Sequence, residues 1–143
     1  MSVEQVARDF ITQMTDAERT KANLTEDAVV SGGILPEPVP AMEALNIIIG
    51  MKNAMPDLKF DIQEVTVNGN QATVKTQWGG TQTGPLSLPG MPAVPPTGKK
   101  VSTQDDFIVT VEGDKVSHLH VESPPNGGVP AILTQLGINP PGM

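Results

Sequence analysis

The sequence lacks cysteine, is poor in aromatic residues and has no long apolar run. Without cysteine, the 143-residue chain has neither disulfides nor thiol chemistry. Three phenylalanines and one tryptophan are its only aromatic residues, so we expect methionines to fill gaps in an aromatic-poor core. No stretch approaches the roughly 18 apolar residues of a membrane span, and the N-terminal residues do not resemble a signal peptide. We therefore expect a cytoplasmic protein.

Basic residues are also scarce. Nine Lys and Arg face sixteen Asp and Glu, which gives a net charge of -7. This balance argues against nucleic acid or an anionic membrane as a partner. The length suits one domain with a real core, so we expect a single domain over residues 1–143 with a loosely ordered tail at 137–143. The sequence has no P-loop, dinucleotide fingerprint or serine-nucleophile elbow.

The first half of the sequence has the spacing of helices. Ser2, Thr15 and Pro40 each precede a stretch with helical character and are typical of helix starts, so three helices are predicted. Between the second and third helices the sequence is irregular. It leaves room for one short strand around Val29 and Val30.

The second half alternates with the period of strands. A change of parity near Gln63 predicts a β-bulge, and the VNGN stretch at 67–70 predicts a hairpin. Residues 101–111 alternate clearly, a turn at 112–114 leads into a further strand, and a short final helix is predicted between residues 130 and 137. Helices followed by long strands predict an α+β fold: a curved antiparallel sheet wrapped by N-terminal helices, with a pocket between them.

Asp105 is a carboxylate on a strand face that otherwise has the pattern of a buried face. An unpaired buried charge costs several kcal/mol, so such a group is neutralised, hydrogen-bonded or directed into a cavity. A carboxyl group in an apolar pocket has a raised pKa, which suits a general base or acid. The alternatives are a loop cap, a lysine partner or a bulge that turns the side chain outward. The neighbours of the same parity are Val101, Thr103, Phe107, Val109 and Val111.

Five short motifs of the sequence occur in the order found in one known family. They read MPDL at 55–58, GTQTGP at 80–85, PPTGKKV at 95–101, GDKV at 113–116 and QLG at 135–137. Together they resemble the SnoaL-like polyketide cyclases of the nuclear transport factor 2-like superfamily. The resemblance covers roughly residues 25–137.

The resemblance implies a cone-shaped α+β barrel with an internal ligand cavity, usually a homodimer formed through the outer face of the sheet. In the cyclases, this cavity catalyses a cofactor-free intramolecular aldol ring closure. An aspartate near the end of the last strand is the general base, and a histidine on the preceding strand assists it. Counted along this sequence, the aspartate falls near Pro124 or Gly128 and the histidine near Asp105 or Phe107. The histidine of the family's G-T-H-T-G motif is Gln82 here.

His118, His120 and Glu122 alternate with apolar residues in the last predicted strand, so the three share one face. The resemblance directs this face toward the cavity. The hydrophobic parity of Leu119 and Val121 directs it outward, and both faces can be buried if a partner subunit covers the outer one.

Three interpretations of this trio remain open. In the catalytic one, His120 or Glu122 replaces the missing aspartate as the base, with Asp105 opposite across the strand pair. In the metal one, H-x-H-x-E supplies three ligands suited to zinc or iron. In the structural one, the strand is merely polar or faces a dimer partner.

These observations predict cofactor-free acid–base catalysis, of the cyclase, isomerase or dehydratase type, on a small apolar organic molecule. Trp78 lies on an apolar face, either as core or as a cavity wall that offers a flat surface to a planar ligand. The alternative is a non-catalytic small-molecule-binding or dimerisation module that lacks the family's aspartate. No metal or cofactor is predicted. The predicted catalytic residues are Asp105, His120 and Glu122, and the predicted substrate-binding residues are Trp78, Gln82, Phe107 and His118.

Overall fold

The computed structural model describes residues 2–33, 35, 37–87, 93–124 and 127–137, so the predicted loose tail beyond Gly137 lies outside the described residues. The elements follow one another as α1 (Val3–Thr12), α2 (Ala17–Ala22), β1 (Leu24–Gly32), β2 (Val39–Pro40), α3 (Ala41–Ala54), β3 (Lys59–Asn68), β4 (Gln71–Thr81), β5 (Lys100–Glu112), β6 (Lys115–Glu122) and α4 (Gly128–Gln135). No helix of the described ranges is both long enough and apolar enough to cross a membrane.

The strands of the described residues form one sheet in the order β2-β1-β6-β5-β4-β3. All neighbouring strands are antiparallel except β1 and β6, which run parallel. The predicted α+β class is therefore confirmed, but the sheet is mixed rather than wholly antiparallel. A parallel pair needs a long crossover between its strands, and here the crossover contains β2, α3 and the three strands from β3 to β5.

The irregular stretch after α2 contains more strand than the sequence indicated. The predicted short strand around Val29 and Val30 extends from Leu24 to Gly32. Its pairing with β6 is irregular between Leu24 and Val29, which explains why the sequence there does not alternate cleanly.

Helix starts follow the predicted capping chemistry with one correction. The Ser2 hydroxyl accepts a hydrogen bond from the Gln5 N–H at 3.1 Å and caps α1, as predicted. The cap of α2 is Asp16 rather than Thr15, and its carboxylate accepts from the Arg19 N–H at 3.2 Å. Both residue types are good caps, so the sequence alone did not separate two adjacent candidates.

The bends and turns of the strands lie close to where the sequence predicts them. The β3–β4 register shifts between Ile62 and Glu64, which confirms the bulge, and the 67–70 hairpin joins the same two strands. Helix α3 begins directly after Pro40. Helix α4 begins at Gly128, earlier than predicted, so Pro130 lies within its first turn, where proline is tolerated.

The core lies between the helices and one face of the sheet. Helix α1 packs on β3 and β4, α3 on β1, and α4 on β5. The alternation predicted for β5 is confirmed, because every odd-numbered residue from Val101 to Val111 is buried. This face of β5 carries the carboxyl group on which the candidate site depends.

Asp57 joins the turn after α3 to the end of β4. Its carboxylate accepts hydrogen bonds from the Thr81 backbone N–H at 2.7 Å and from the Thr81 hydroxyl at 3.0 Å. The backbone N–H contributes most to holding the pKa of Asp57 below its ordinary value, and the hydroxyl adds to it. Because the folded-state pKa is lowered, the stability from this contact is present above the unfolded-state pKa and lost as pH falls through the folded one.

We expect Asp57→Asn to lower the melting temperature at neutral pH and to have less effect as the pH falls through the lowered pKa of Asp57, where the wild-type carboxylate is itself protonated. Circular dichroism melts of both proteins across this range measure the difference. Thr81→Val provides a comparison, since it removes the hydroxyl and keeps the backbone donor. A melting-temperature difference that does not change with pH would contradict this account of Asp57.

Candidate active site

Asp105 lies on the inward face of β5, near the middle of the strand. It is 4% exposed, between the inward residues Thr103 and Phe107. Because side chains alternate between the two faces of a strand, the carboxyl group of Asp105 points into the protein and away from water. Its neighbours therefore decide whether it carries a charge.

Two neutral donors hold the carboxyl group of Asp105. The indole Nε1–H of Trp78 donates to Oδ2 at 2.9 Å, and the Ser123 hydroxyl donates to Oδ1 at 2.5 Å. Trp78 belongs to β4, where it pairs with Thr103, and Ser123 directly follows β6. Among the described residues, no lysine or arginine forms an ion pair with Asp105. The carboxylate is thus oriented by hydrogen bonds without being neutralised.

Burial raises the pKa of Asp105 above its ordinary value. The hydrogen bonds from Ser123 and Trp78 oppose this by stabilising the carboxylate, and the nearby charge of Asp106 adds to the rise. The loss of hydration outweighs the two donors. The result is a more basic carboxylate than one on the surface, still oriented by its partners.

A cavity of about 90 Å³ lies beside Asp105, between the sheet and α3. Its sheet wall includes Phe60, Trp78, Phe107 and Leu119, and α3 contributes apolar side chains such as Met51. The polar side-chain groups of this lining belong to Asp105, Ser123 and Trp78. The volume is small compared with the roughly 300–1,000 Å³ of pockets that enclose a drug-sized ligand, so the cavity suits a compact group.

The first residue of α4 packs directly against the carboxyl group. Gly128 has a φ of 70°, and a Cβ placed on it would overlap the Ser123 hydroxyl and lie 3.2 Å from Asp105 Oδ1. The amino end of a helix carries partial positive charge, which favours a carboxylate beside it. This corner is also where the family pattern, counted along the sequence, would put its aspartate.

The structure divides the predicted substrate-binding residues into two groups. Trp78 and Phe107 line the cavity, whereas Gln82 does not. The Gln82 amide is fully buried, where it donates to the carbonyl oxygens of Val94 at 3.3 Å and Pro95 at 3.1 Å and accepts from the Thr97 hydroxyl at 2.7 Å. Through these contacts, Gln82 fixes the position of the proline-rich loop.

The histidines of β6 lie on the sheet face opposite the cavity, whereas Leu119 and Val121 line it. The resemblance predicted that the face with His118, His120 and Glu122 points toward the cavity, and this prediction is wrong. The hydrophobic parity of Leu119 and Val121 predicted the orientation of the strand correctly. His118 Nε2 and His120 Nδ1 both lie close to the hydroxyl of Ser31 in β1, at 2.8 and 2.7 Å. Within the part of the chain described, no three metal-binding side chains are grouped to hold an ion.

Glu122 is exposed on the same outer face, with its Oε1 3.7 Å from His120 Nε2. The expectation that Asp105 lies opposite this pair is wrong. The β5–β6 register pairs Glu122 with Asp106, and consecutive residues of a strand point to opposite faces. The structure therefore does not bring His120 and Glu122 to the carboxyl group of Asp105.

Ser123 is the contact that the sequence analysis missed. It follows Leu119 and Val121 with the same parity, so the alternation that directs those two inward also directs Ser123 inward. Ser123 lies just beyond the alternating trio of His118, His120 and Glu122 on which the sequence-based prediction was built.

Fold and site together define a class of protein. It is an α+β protein with an apolar pocket between a bent sheet and its helices, and with one buried carboxyl group in that pocket. The model of the SnoaL-like polyketide cyclase family matches residues 36–121, which is more than half of the chain. The chain belongs to the SnoaL-like polyketide cyclase family. The comparison with curated proteins found no match.

Solved structures share the fold over nearly the whole chain. A candidate SnoaL-like polyketide cyclase from Jannaschia sp. CCS1 is 19% identical with a TM-score of 0.76, covering 96% of this chain and 93% of that one. AclR, a candidate hydroxylase from Streptomyces galilaeus, is 17% identical with a TM-score of 0.76, covering 94% and 95%. IdmH, a candidate polyketide cyclase from Streptomyces antibioticus, is 18% identical with a TM-score of 0.75, covering 96% and 100%. At these identities the likeness establishes the fold alone.

Proposed function

We propose that this protein catalyses a cofactor-free proton transfer on a small organic molecule, with Asp105 as the general base. The observation that supports this is a buried carboxyl group with neutral partners at the edge of an otherwise apolar cavity. The proposal includes a single domain that acts as a homodimer. Membership of the cyclase family supports carbon–carbon ring closure or isomerisation as the type of reaction.

In the proposed step, the Asp105 carboxylate accepts a proton from a carbon next to a carbonyl group. The electron pair of that C–H bond moves into the carbonyl group to form an enolate. In a ring closure, the enolate carbon attacks a second carbonyl carbon of the same molecule. The proton on Asp105 then passes to the resulting alkoxide, which restores the carboxylate. Every atom is retained, and no oxidant or reductant is needed.

The surroundings of Asp105 support this role. Removal from water makes the carboxylate more basic, and the donors on its two oxygens fix its direction. The family pattern puts its base near Pro124 or Gly128, and Asp105 reaches the same corner from the neighbouring strand, since its Oδ1 lies against Ser123 and Gly128. We infer that the base has moved between strands while the position of its carboxyl group is kept.

Proton exchange on a simple ketone tests the proposal without knowledge of the natural substrate. We expect the protein in heavy water to accelerate deuterium incorporation next to the carbonyl group of cyclohexanone, followed by NMR. The rate should rise with pH through the raised pKa of Asp105, because only the carboxylate accepts a proton. A rate no faster than buffer with this ketone and with small cyclic diketones would reject general-base catalysis.

The second candidate is a non-catalytic small-molecule-binding module. The absence of an acidic residue at Pro124 and Gly128, where the family pattern has its base, favours it. Trp78, the one tryptophan of the chain, lies in the cavity wall, so its fluorescence reports binding independently of turnover. A ketone that changes this fluorescence without exchanging its protons would favour the binding module.

A further inference from the structure

The cavity beside Asp105 concentrates the aromatic residues of the protein. Of the three phenylalanines and one tryptophan in the sequence, Phe60, Trp78 and Phe107 line it. From these rings and the carboxylate of Asp105 in the same lining, we infer that the cavity binds small alkylated ammonium cations, such as the trimethylammonium group of choline. This ligand class goes beyond the proposed catalysis and does not depend on it.

The three rings come from three neighbouring strands and meet on one face of the sheet. Phe60 of β3 and Trp78 of β4 are cross-strand partners, with ring centroids 5.7 Å apart and planes tilted by 30°. Phe60 and Phe107 of β5 are 6.2 Å apart, with their planes at 69°. Aromatic rings attract cations over their faces, and three rings in one cavity wall offer this attraction to a ligand in the cavity.

Asp105 supplies the charge that a cation needs. It lies two residues before Phe107 on the same strand face and bonds to the indole of Trp78, so the carboxylate adjoins two of the three rings. Its partners are neutral, and the described lining residues include no lysine, arginine or histidine. A bound cation would compensate a negative charge that is otherwise buried without a counter-ion, and the net charge of -7 attracts cations to the protein.

The chemistry of the walls selects among cations. A primary ammonium or guanidinium group needs several hydrogen-bond acceptors to replace its water, and Asp105 is the one charged acceptor of the described lining. Alkylated ammonium groups are weakly hydrated and present methyl groups. These methyl groups fit apolar walls such as Val30, Leu119 and Val121, and a cavity of about 90 Å³ favours a compact head group.

Choline and its neutral isostere 3,3-dimethylbutan-1-ol test the inference, since they have the same shape and differ in charge. Calorimetry and Trp78 fluorescence should both show that choline binds roughly tenfold or more tightly than the isostere at equal ionic strength. Choline keeps its charge at every pH, so any pH dependence belongs to the protein. Its affinity should rise with pH through the raised pKa of Asp105. β4, β6 and α4 pack against Asp105. Among their described residues, no side chain that would titrate in the same range faces the carboxyl group. Asp106, its neighbour in β5, points to the other face of the sheet.

Two variants separate the carboxylate from the rings. Asp105→Asn should remove the preference for choline over the isostere, and Phe107→Leu should weaken choline binding more than isostere binding, because only the cation loses the attraction of the ring face. Asp27→Asn, which removes an exposed carboxylate of β1, is the matched control for net charge. Any of three results would overturn the inference: equal binding of choline and the isostere, no binding of choline, or an equal loss of choline binding in both aspartate variants. The proposed catalysis fails separately, through the ketone exchange rate.

Discussion

Asp105→Asn should lower the rate of protein-catalysed ketone deuteration by roughly 10²–10⁴-fold, the usual contribution of a general base. Asparagine has nearly the same shape but cannot accept a proton at accessible pH. The loss should fall mainly on the chemical step, so ketone binding, followed through Trp78 fluorescence, should change much less. The pH dependence of the remaining rate should no longer show the ionisation of residue 105.

The same substitution should raise the melting temperature at neutral pH. Burial raises the pKa of Asp105, so the folded state holds its proton more tightly than the unfolded state does. The corresponding contribution to stability is complete below the unfolded-state pKa and is lost as pH rises through the folded-state pKa. Asparagine carries no charge to desolvate, so its advantage should grow over this pH window. Loss of activity with a gain in stability is typical of a functional residue held in an unfavourable environment.

Both hydrogen bonds can survive in the variant, so unfolding is not an expected complication. The asparagine Oδ1 can accept from the Trp78 indole, and its Nδ2 can donate to Ser123, whose hydroxyl both donates and accepts. Melts followed by circular dichroism across the acid and neutral range measure the stability change, with Asp27→Asn as the control. An unchanged exchange rate would reject Asp105 as the base, and a lower melting temperature at neutral pH would contradict the account of its burial.

The parts of the site that depend on local alternation could be predicted from the sequence. The period of two in β5 placed Asp105 and Phe107 on the buried face, and both line the cavity. The same pattern on β4 made Trp78 a candidate wall residue. A strand's side-chain direction follows from its own sequence once one face is clearly apolar, so no knowledge of distant contacts was needed.

The parts that depend on contacts between distant segments could not be predicted. Ser31 lies 87 residues before His118, with which it hydrogen-bonds, in a stretch whose length as a strand the sequence did not indicate. The pairing of β1 beside β6 is what gives the two histidines a polar partner on the outer face. Ser123 meets Asp105 across 18 residues of chain. The family pattern faced its polar trio inward and was misleading, because the carboxyl group that lines the cavity comes from β5 and not from β6.

Gly128→Ala should destabilise the fold by roughly 2–5 kcal/mol and shift the pH profile of exchange. A left-handed backbone costs a residue with a Cβ about 1–2 kcal/mol, and overpacking at a tight contact typically adds about 1–3 kcal/mol. Here the added Cβ would overlap the Ser123 hydroxyl. The added Cβ would also lie 2.8 Å from the Ser123 Cβ, so Ser123 must shift as a whole away from Gly128. We expect this shift to break its hydrogen bond to Asp105, the larger of the two hydrogen-bond contributions that lower the pKa of that carboxyl group.

Gly137→Ala separates the contact from the backbone strain. Gly137, just after α4, has a φ of 83°, and a Cβ there would meet no described residue within 4 Å. It should therefore cost only the backbone contribution of about 1–2 kcal/mol and leave the pH profile unchanged. In Gly128→Ala, the exchange rate should need a higher pH to reach its plateau, because the pKa of Asp105 rises further without Ser123. Equal destabilisation by the two alanines, with identical pH profiles, would mean that the start of α4 does not control the carboxyl group.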